Sequence, residues 1–394
     1  MVLSIIFLVV LLPTLTFHYV SFRWIVVYVV LQNLDGDNLE RSARGILKKQ
    51  TAKWKFPLKY SIKDNLDKHI IRKAFDNIEK ETCLRFNQIK TNLPDGQGII
   101  FVKDPSCYVH KGNIHGNEHH YLYLNDQCSK SVSQVQFYVG MLLGLVGHHR
   151  RYDRDNYVTV NYSNVIPSKT FEFTKYNISD IELFGVGYDY VSLQNLDEYA
   201  YNVNGKATIS PKHPFYSLLM RYRQEMTFTD YKLLNYYYCK HQMSSPKKNK
   251  CKNGGYSLDK RSKKCKCPNM FAGNHCERLE KSSYGCGKLT LIAQGSLKKI
   301  YFRGNKKCLH RIRPLKRNKN VEVVAYEMKT TVKVPCNENL NLEIKYQDDK
   351  GVMGIGGCGR QGSYSFKGIK GKNMVIKYQG MAPKDYAVVY YKAV

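Results

Sequence analysis

Twelve cysteines, an even number and most of them in the last 160 residues, constrain this 394-residue chain more than any other feature. Such crowding fits disulfides formed in an oxidising compartment. Lys247 to Cys276 is short and Cys-dense, and its own core is too small to hold it without cross-links. The N-terminus agrees with export. Val2 to Phe17 is almost wholly apolar, and a second apolar run, Trp24 to Leu31, follows His18 and Arg23. A basic leading region and an A-x-A site are both missing, so residues 1–33 read as a signal peptide or as a signal anchor. Two N-x-S sequons, at Asn161 and Asn177, are compatible with secretion as glycosylation candidates.

The length suggests two or three domains. Net charge is +30, which favours anionic partners such as nucleic acid, acidic glycans or acidic headgroups. The cysteines argue against nucleic acid. From Lys240 to Lys319, 23 Lys and Arg face only three acids, so a sulfated glycan is the anionic partner this stretch suits, beside its plainer reading as a solvated surface. Contact with a membrane is expected only if the N-terminal segment stays uncleaved. Residues 34–44 form a short polar piece ending in Arg-Ser-Ala-Arg, which reads as a processing site before Gly45.

After Trp54 the sequence KFPLKYSI is strand-like. A helix is expected from near Asn65, where Asn65-Leu-Asp-Lys offers a cap and Ile70, Ile71, Ala74, Phe75 and Ile78 make one apolar face. Gly98 to Lys103 and Tyr121 to Asn125 read as strands, Gln134 to Val146 as a buried helix, and Asp155 to Pro211 as loops with short strands. From Cys286 onward, β-type runs separated by turns suggest a sandwich.

Arg151-Tyr-Asp-Arg-Asp-Asn-Tyr-Val is dense in charge, yet the helix before it, Phe137 to Gly147, has no ionisable side chain apart from Tyr138. With Cys83-Leu-Arg-Phe, the Cys107 to Cys128 segment, Tyr188-Asp-Tyr and Asn204-Gly-Lys-Ala-Thr-Ile-Ser-Pro-Lys, this block resembles the catalytic domain of the astacin-family zinc metalloproteases. The resemblance implies an α+β, metzincin-like protease domain over residues 45–240. The family helix carries H-E-x-x-H-x-x-G-x-x-H, in which two His at i and i+4 share one helix face and aim at one metal, and the Glu works on the metal-bound water. Anchored on the Arg-Tyr-Asp-Arg-Asp block, the three His positions fall on Phe137, Met141 and Gly147, and the Glu position on Tyr138; only Gly144 is kept. Phenyl and hydrogen offer no ligand atom and a thioether is a weak partner for zinc, so no zinc and no other cofactor is expected. In the family's supporting turn, Ser192-Leu-Gln-Asn-Leu puts Gln194 at the Met position and Leu196 at the Tyr position. His148 stands where the family has a Glu that pairs with the mature N-terminus. Asp37 stands at a faint match to the family's zinc-blocking aspartate. Phe137 and Met141 read most simply as core filling. His148 and His149 are adjacent, so on a helix they would point about 100° apart and could not chelate as a pair. His115 and His119 are the one other place a metal could sit, on one face of an edge strand.

The same resemblance implies the pairs Cys83–Cys239 and Cys107–Cys128. Residues 241–279 resemble a small disulfide-rich EGF-like module reduced to four cysteines, with Cys251–Cys265 and Cys267–Cys276. Residues 284–394 resemble an all-β CUB-like sandwich, with Cys286–Cys308 and Cys336–Cys358, and an early acidic calcium ligand is hard to find in it. The architecture is similar to that of nematode astacins. The expected function is a secreted pseudoprotease, not an enzyme, that binds an extracellular protein or peptide or an anionic glycan. The rivals are an active zinc metalloendopeptidase, with a misrecorded motif or a non-family metal site, and a decaying duplicate without a selected function.

Overall fold

The computed structural model describes residues 45–48, 50, 52–221, 224–239, 250–258, 264–331 and 340–394. The expected signal or anchor, the polar piece with Asp37, and Cys336 lie outside the described residues. No helix among the described residues is long and apolar enough to cross a membrane.

The first layer is a four-stranded parallel sheet in the order Phe86–Gln88, Leu58–Ile62, Gly98–Lys103, His119–Leu124. The helix Lys68–Glu81 packs on it. Its cap is Asp67, two residues beyond Asn65, and the Asp67 carboxylate accepts the N–H groups of His69 and Ile70. Ile71, Ala74, Phe75 and Ile78 are buried as the spacing requires, and the Phe75 ring stacks on Phe86 at 4.1 Å. Phe86–Gln88, three residues long, is too short to give a periodic signal and is not expected from the sequence. The second helix of this half runs Val132–Leu142, capped by the Ser131 hydroxyl on the Gln134 N–H. It ends earlier than expected because Gly144 turns the chain at φ +89°, where an added Cβ would lie 2.5 Å from Gln50 Nε2. From Arg154 to Pro211 the chain is short 3-10 turns and two- or three-residue strands.

The last helix of this half, Phe228–Tyr238, opens on a capping box between Thr227 and Asp230. Beyond it lies a small module held by Cys251–Cys265 and Cys267–Cys276. Its Tyr256 is fully buried and donates its hydroxyl to the Glu81 carbonyl at 2.8 Å. The C-terminal part is a sandwich. One sheet runs Thr290–Ala293, Lys307–Pro314, Met374–Gln379, Leu342–Lys345, Ile355–Gly357. The other runs Lys298–Arg303, Tyr386–Ala393, Val321–Lys329, with Arg360–Gln361 and Tyr364–Lys367 both on the last of these. Cys83–Cys239, Cys107–Cys128 and Cys286–Cys308 are formed as the resemblance implies, and no described cysteine is free.

The two halves do not hang on a linker. One continuous core runs from Phe173, Tyr188 and Tyr216 into Ile344, Tyr364 and Phe366. At its edge Lys232 meets Asp349 at 3.1 Å, with side chains only 6% and 8% exposed, and Asp349 also accepts the Gly187 N–H. A cation this deeply buried depends on its partner. Asp349→Ala should therefore lower stability by about 3–5 kcal/mol, because it leaves Lys232 buried and unpaired. The double change Lys232→Met with Asp349→Leu should lose far less. Urea denaturation followed by the fluorescence of buried Trp54 separates the two outcomes.

Candidate functional site

The helix Val132–Leu142 is two-faced. Val135, Gln136, Val139, Gly140 and Leu142 are buried. Gln136 fixes the helix by donating to the Tyr231 hydroxyl and accepting the Met226 N–H, both at 3.1 Å. The opposite face, with Phe137, Tyr138 and Met141, is half-buried and lines a cleft of about 400 Å³. These side chains therefore wall a cleft as well as pack on the core edge, which differs from plain core filling. Leu145, Val146 and Gly147 line it further along the chain, and Gln194, Leu196 and Tyr201 close it from the turn. Its rim carries Lys111, Arg150 and Lys169, with Glu172 3.8 Å from Lys111 and 3.6 Å from Arg150.

Two glycines show how the cleft is packed. A Cβ at Gly140 would lie 2.4 Å from Gln194 Nε2, because Gln194 reaches across to the Phe137 carbonyl at 3.0 Å. A Cβ at Gly147 would lie 2.1 Å from the His149 ring and 2.4 Å from the Gln194 carbonyl. The space a side chain at 147 would need is filled by the buried His149 imidazole, whose Nδ1 is 3.2 Å from the Leu196 N–H and 3.0 Å from Asn195 Oδ1. The sequence presents His149 only as a neighbour of His148; its place in the cleft is set by tertiary packing, and no local signal marks it.

His148 is also buried. Its Nδ1 accepts the Asp189 N–H at 2.9 Å and its ring stands edge-on to Tyr188. Burial first, and then the Arg151 guanidinium, hold its pKa well below the usual histidine range. It is a neutral imidazole and no counter-ion for an ammonium. Tyr138, which the resemblance aligns with the family's Glu, has its pKa raised by burial and stays a phenol.

The charged block after the cleft serves as scaffold. Arg151, 3% exposed, grips Asp153 with two hydrogen bonds at 2.8 Å and donates to the Val186 and Gly187 carbonyls. Arg154, equally buried, donates to the His149 carbonyl at 2.8 Å and to the Phe173 carbonyl. These buried guanidiniums tie together loops that have no sheet of their own.

The residues around the cleft do not fit a zinc ion, which takes three or four converging N, S or O donors. The three positions named for ligands present a phenyl ring, a thioether and no side chain. The alternative pair is separated: His119 begins its strand with Nε2 3.0 Å from the Pro94 carbonyl, whereas His115 lies in the preceding turn against His120. That expectation of a shared strand face was wrong because the strand starts only at His119. His120, beside His119 in the same Asn117-Glu-His-His run, is the buried member of this group. It accepts the Ile114 and His115 N–H groups at Nε2, and burial lowers its pKa to about 4. No group of three His, Cys, Asp or Glu side chains suited to a metal occurs among the described residues. Asn161 and Asn177 are both exposed.

The family model for the astacin peptidases matches residues 46–239. The zinc metalloproteinase nas-34 of Caenorhabditis elegans is 27% identical over 355 residues, covering 89% of this chain and 57% of that protein. The zinc metalloproteinase nas-36 of Brugia malayi is 32% identical over 243 residues, covering 60% of this chain and 41% of that protein. High choriolytic enzyme 1, a hatching enzyme zinc-protease from the medaka Oryzias latipes, gives a TM-score of 0.42 at 23% identity, over 48% of this chain and 94% of that one. The chain thus spans about half the length of the curated relatives it matches. With the cleft helix, the Arg-Tyr-Asp-Arg-Asp scaffold and both disulfides in place, the chain belongs to the astacin family of metalloproteases.

The packing around the cleft can be tested at two positions. Gly147→Ala should destabilise the protein by about 1–3 kcal/mol through overpacking against His149 and the Gln194 carbonyl, read as a lower melting temperature. His148 should keep constant imidazole NMR shifts from about pH 7.5 down to about pH 5; a midpoint near the ordinary histidine value would contradict its burial.

Proposed function

We propose that this chain is an astacin-type pseudoprotease, a non-catalytic extracellular binder whose cleft takes a protein or peptide segment without cutting it. Anionic glycan is the second ligand class. The observation that carries the reading is the set of side chains along the cleft. Phe137, Tyr138, Met141 and Gly147 occupy the positions at which the family resemblance calls for three imidazoles and a carboxylate, and they line an open groove with an apolar wall and polar and charged side chains around it. Hydrolysing a peptide bond needs an activated water and a group to take its proton; a neutral phenol held up by burial and a thioether supply neither. Binding needs only surface. The groove offers aromatic and aliphatic walls with cations at the rim, which suits an extended segment bearing a large apolar side chain next to a carboxylate. The formed disulfides favour an oxidising, extracellular setting.

The test uses the full chain with added zinc and an array of extracellular-matrix peptides. Retention of a subset of peptides, with no cleavage product by mass spectrometry, is expected. Leu196→Asp, which places a charge in the groove, should abolish retention. Chelator-sensitive cleavage of any peptide would overturn the reading.

A further inference from the structure

The outward face of one sandwich sheet carries chemistry that neither the cleft nor the core uses. Lys298–Arg303, Tyr386–Ala393 and Val321–Lys329 lie side by side and antiparallel. Phe302, Val389 and Val323 turn inward and are buried, so the alternating residues face out. Register sets Lys299 opposite Tyr390, Arg303 opposite Tyr386, and Tyr386 opposite Lys329. Between Ala325 and Glu327 the register slips. This bulge turns two successive residues outward, and Tyr326 is left 54% exposed, as is Tyr301. The rings are not scattered. Tyr326 stands edge-on to Tyr390 at 5.7 Å, Tyr301 is 6.4 Å from Tyr386, and the Lys299 ammonium lies 6.0 and 5.9 Å from the Tyr301 and Tyr390 rings.

The charge on this face is unbalanced. Its two carboxylates are engaged: Glu322 by Lys392 at 3.2 Å, and Glu327 by the Tyr386 hydroxyl at 2.5 Å. Lys299, Arg303, Lys329, Arg360 and Lys367 have no ion-pair partner among the described residues. Lys329 even sits directly opposite Arg360 across the sheet, an arrangement that disfavours folding and that a bridging anion would relieve.

We infer that this face binds a sulfated polysaccharide, with the tyrosine rings against the CH faces of the sugars and the surrounding cations on the sulfates. It rests on the glycan arm of the reading above and is independent of the cleft. Cations alone would take any polyanion; flat rings interleaved with them suit a chain of sugar rings. Bases also stack on aromatics, but disulfides favour a compartment where sulfated glycans, not nucleic acids, are the usual polyanion.

The test titrates the full chain with heparin, with desulfated heparin and with a single-stranded oligodeoxynucleotide. Heparin affinity should fall at least about tenfold between low and physiological salt, by counterion release, and desulfated heparin should not compete. Arg303→Glu with Lys329→Glu should weaken heparin binding about tenfold or more, whereas Lys63→Glu with Lys90→Glu, the same charge change on the other half, should cost less than about twofold. Tyr301→Ala with Tyr326→Ala should weaken it several-fold and leave the salt slope unchanged, since no cation is removed. Three results would each overturn the proposal: an equal loss in the Lys63/Lys90 variant, wild-type affinity in the tyrosine variant, or an oligonucleotide bound as tightly as heparin. Peptide retention and cleavage by the cleft are read separately, so either proposal can fail alone.

Discussion

The bond between Cys83 and Cys239 joins residues 156 apart and closes nearly the whole protease half on itself. By the chain-entropy account, closing so long a loop removes about 5 kcal/mol of freedom from the unfolded chain. Its position matters as much as its length. Cys83 follows the helix packed on the parallel sheet, and Cys239 caps the last helix, so the bond fastens the sheet half to the half that holds the opposing wall of the cleft. The same corner receives the small disulfide module. Tyr256 enters it to reach the Glu81 carbonyl, Lys266 pairs with Glu81 at 3.2 Å, and Asn235 donates to the Ser257 carbonyl. The cleft, the module and the sandwich are held relative to one another through that corner and through the Lys232–Asp349 seam.

Within this frame the shape of the cleft rests on contacts outside the side chains at Phe137, Tyr138, Met141 and Gly147. Arg151 and Arg154 hold the loops, Gly144 turns the chain, and Gln194 bridges to the cleft helix through a carbonyl. None of these contacts needs a metal at the centre. His149 fills the space a side chain at 147 would take, so a histidine at 147 would require His149 to move.

Much of this was legible in the sequence, for identifiable reasons. The apolar face of the first helix repeats with the helical period, the sandwich strands alternate, and the cysteines sit in recognisable local motifs. The Arg-Tyr-Asp-Arg-Asp block marks the family in the sequence, and the family model matches residues 46–239 around it. What escaped reading depends on contacts distant in sequence. The His149 wedge is set by Asn195 and Leu196, the continuous core joining Tyr216 to Tyr364 spans two regions of the chain, and the bulge at Tyr326 is defined only by its partner strand. The strand at Phe86 is three residues long, and the strand that would put His115 and His119 on one face begins only at His119.

We propose that the chain has kept the architecture of a zinc protease and lost the ability to hold the ion. The most direct measurement is the metal content of the purified chain by mass spectrometry after dialysis against trace zinc. Zinc well below one equivalent per chain is the expected result. One tightly held zinc per chain would contradict it.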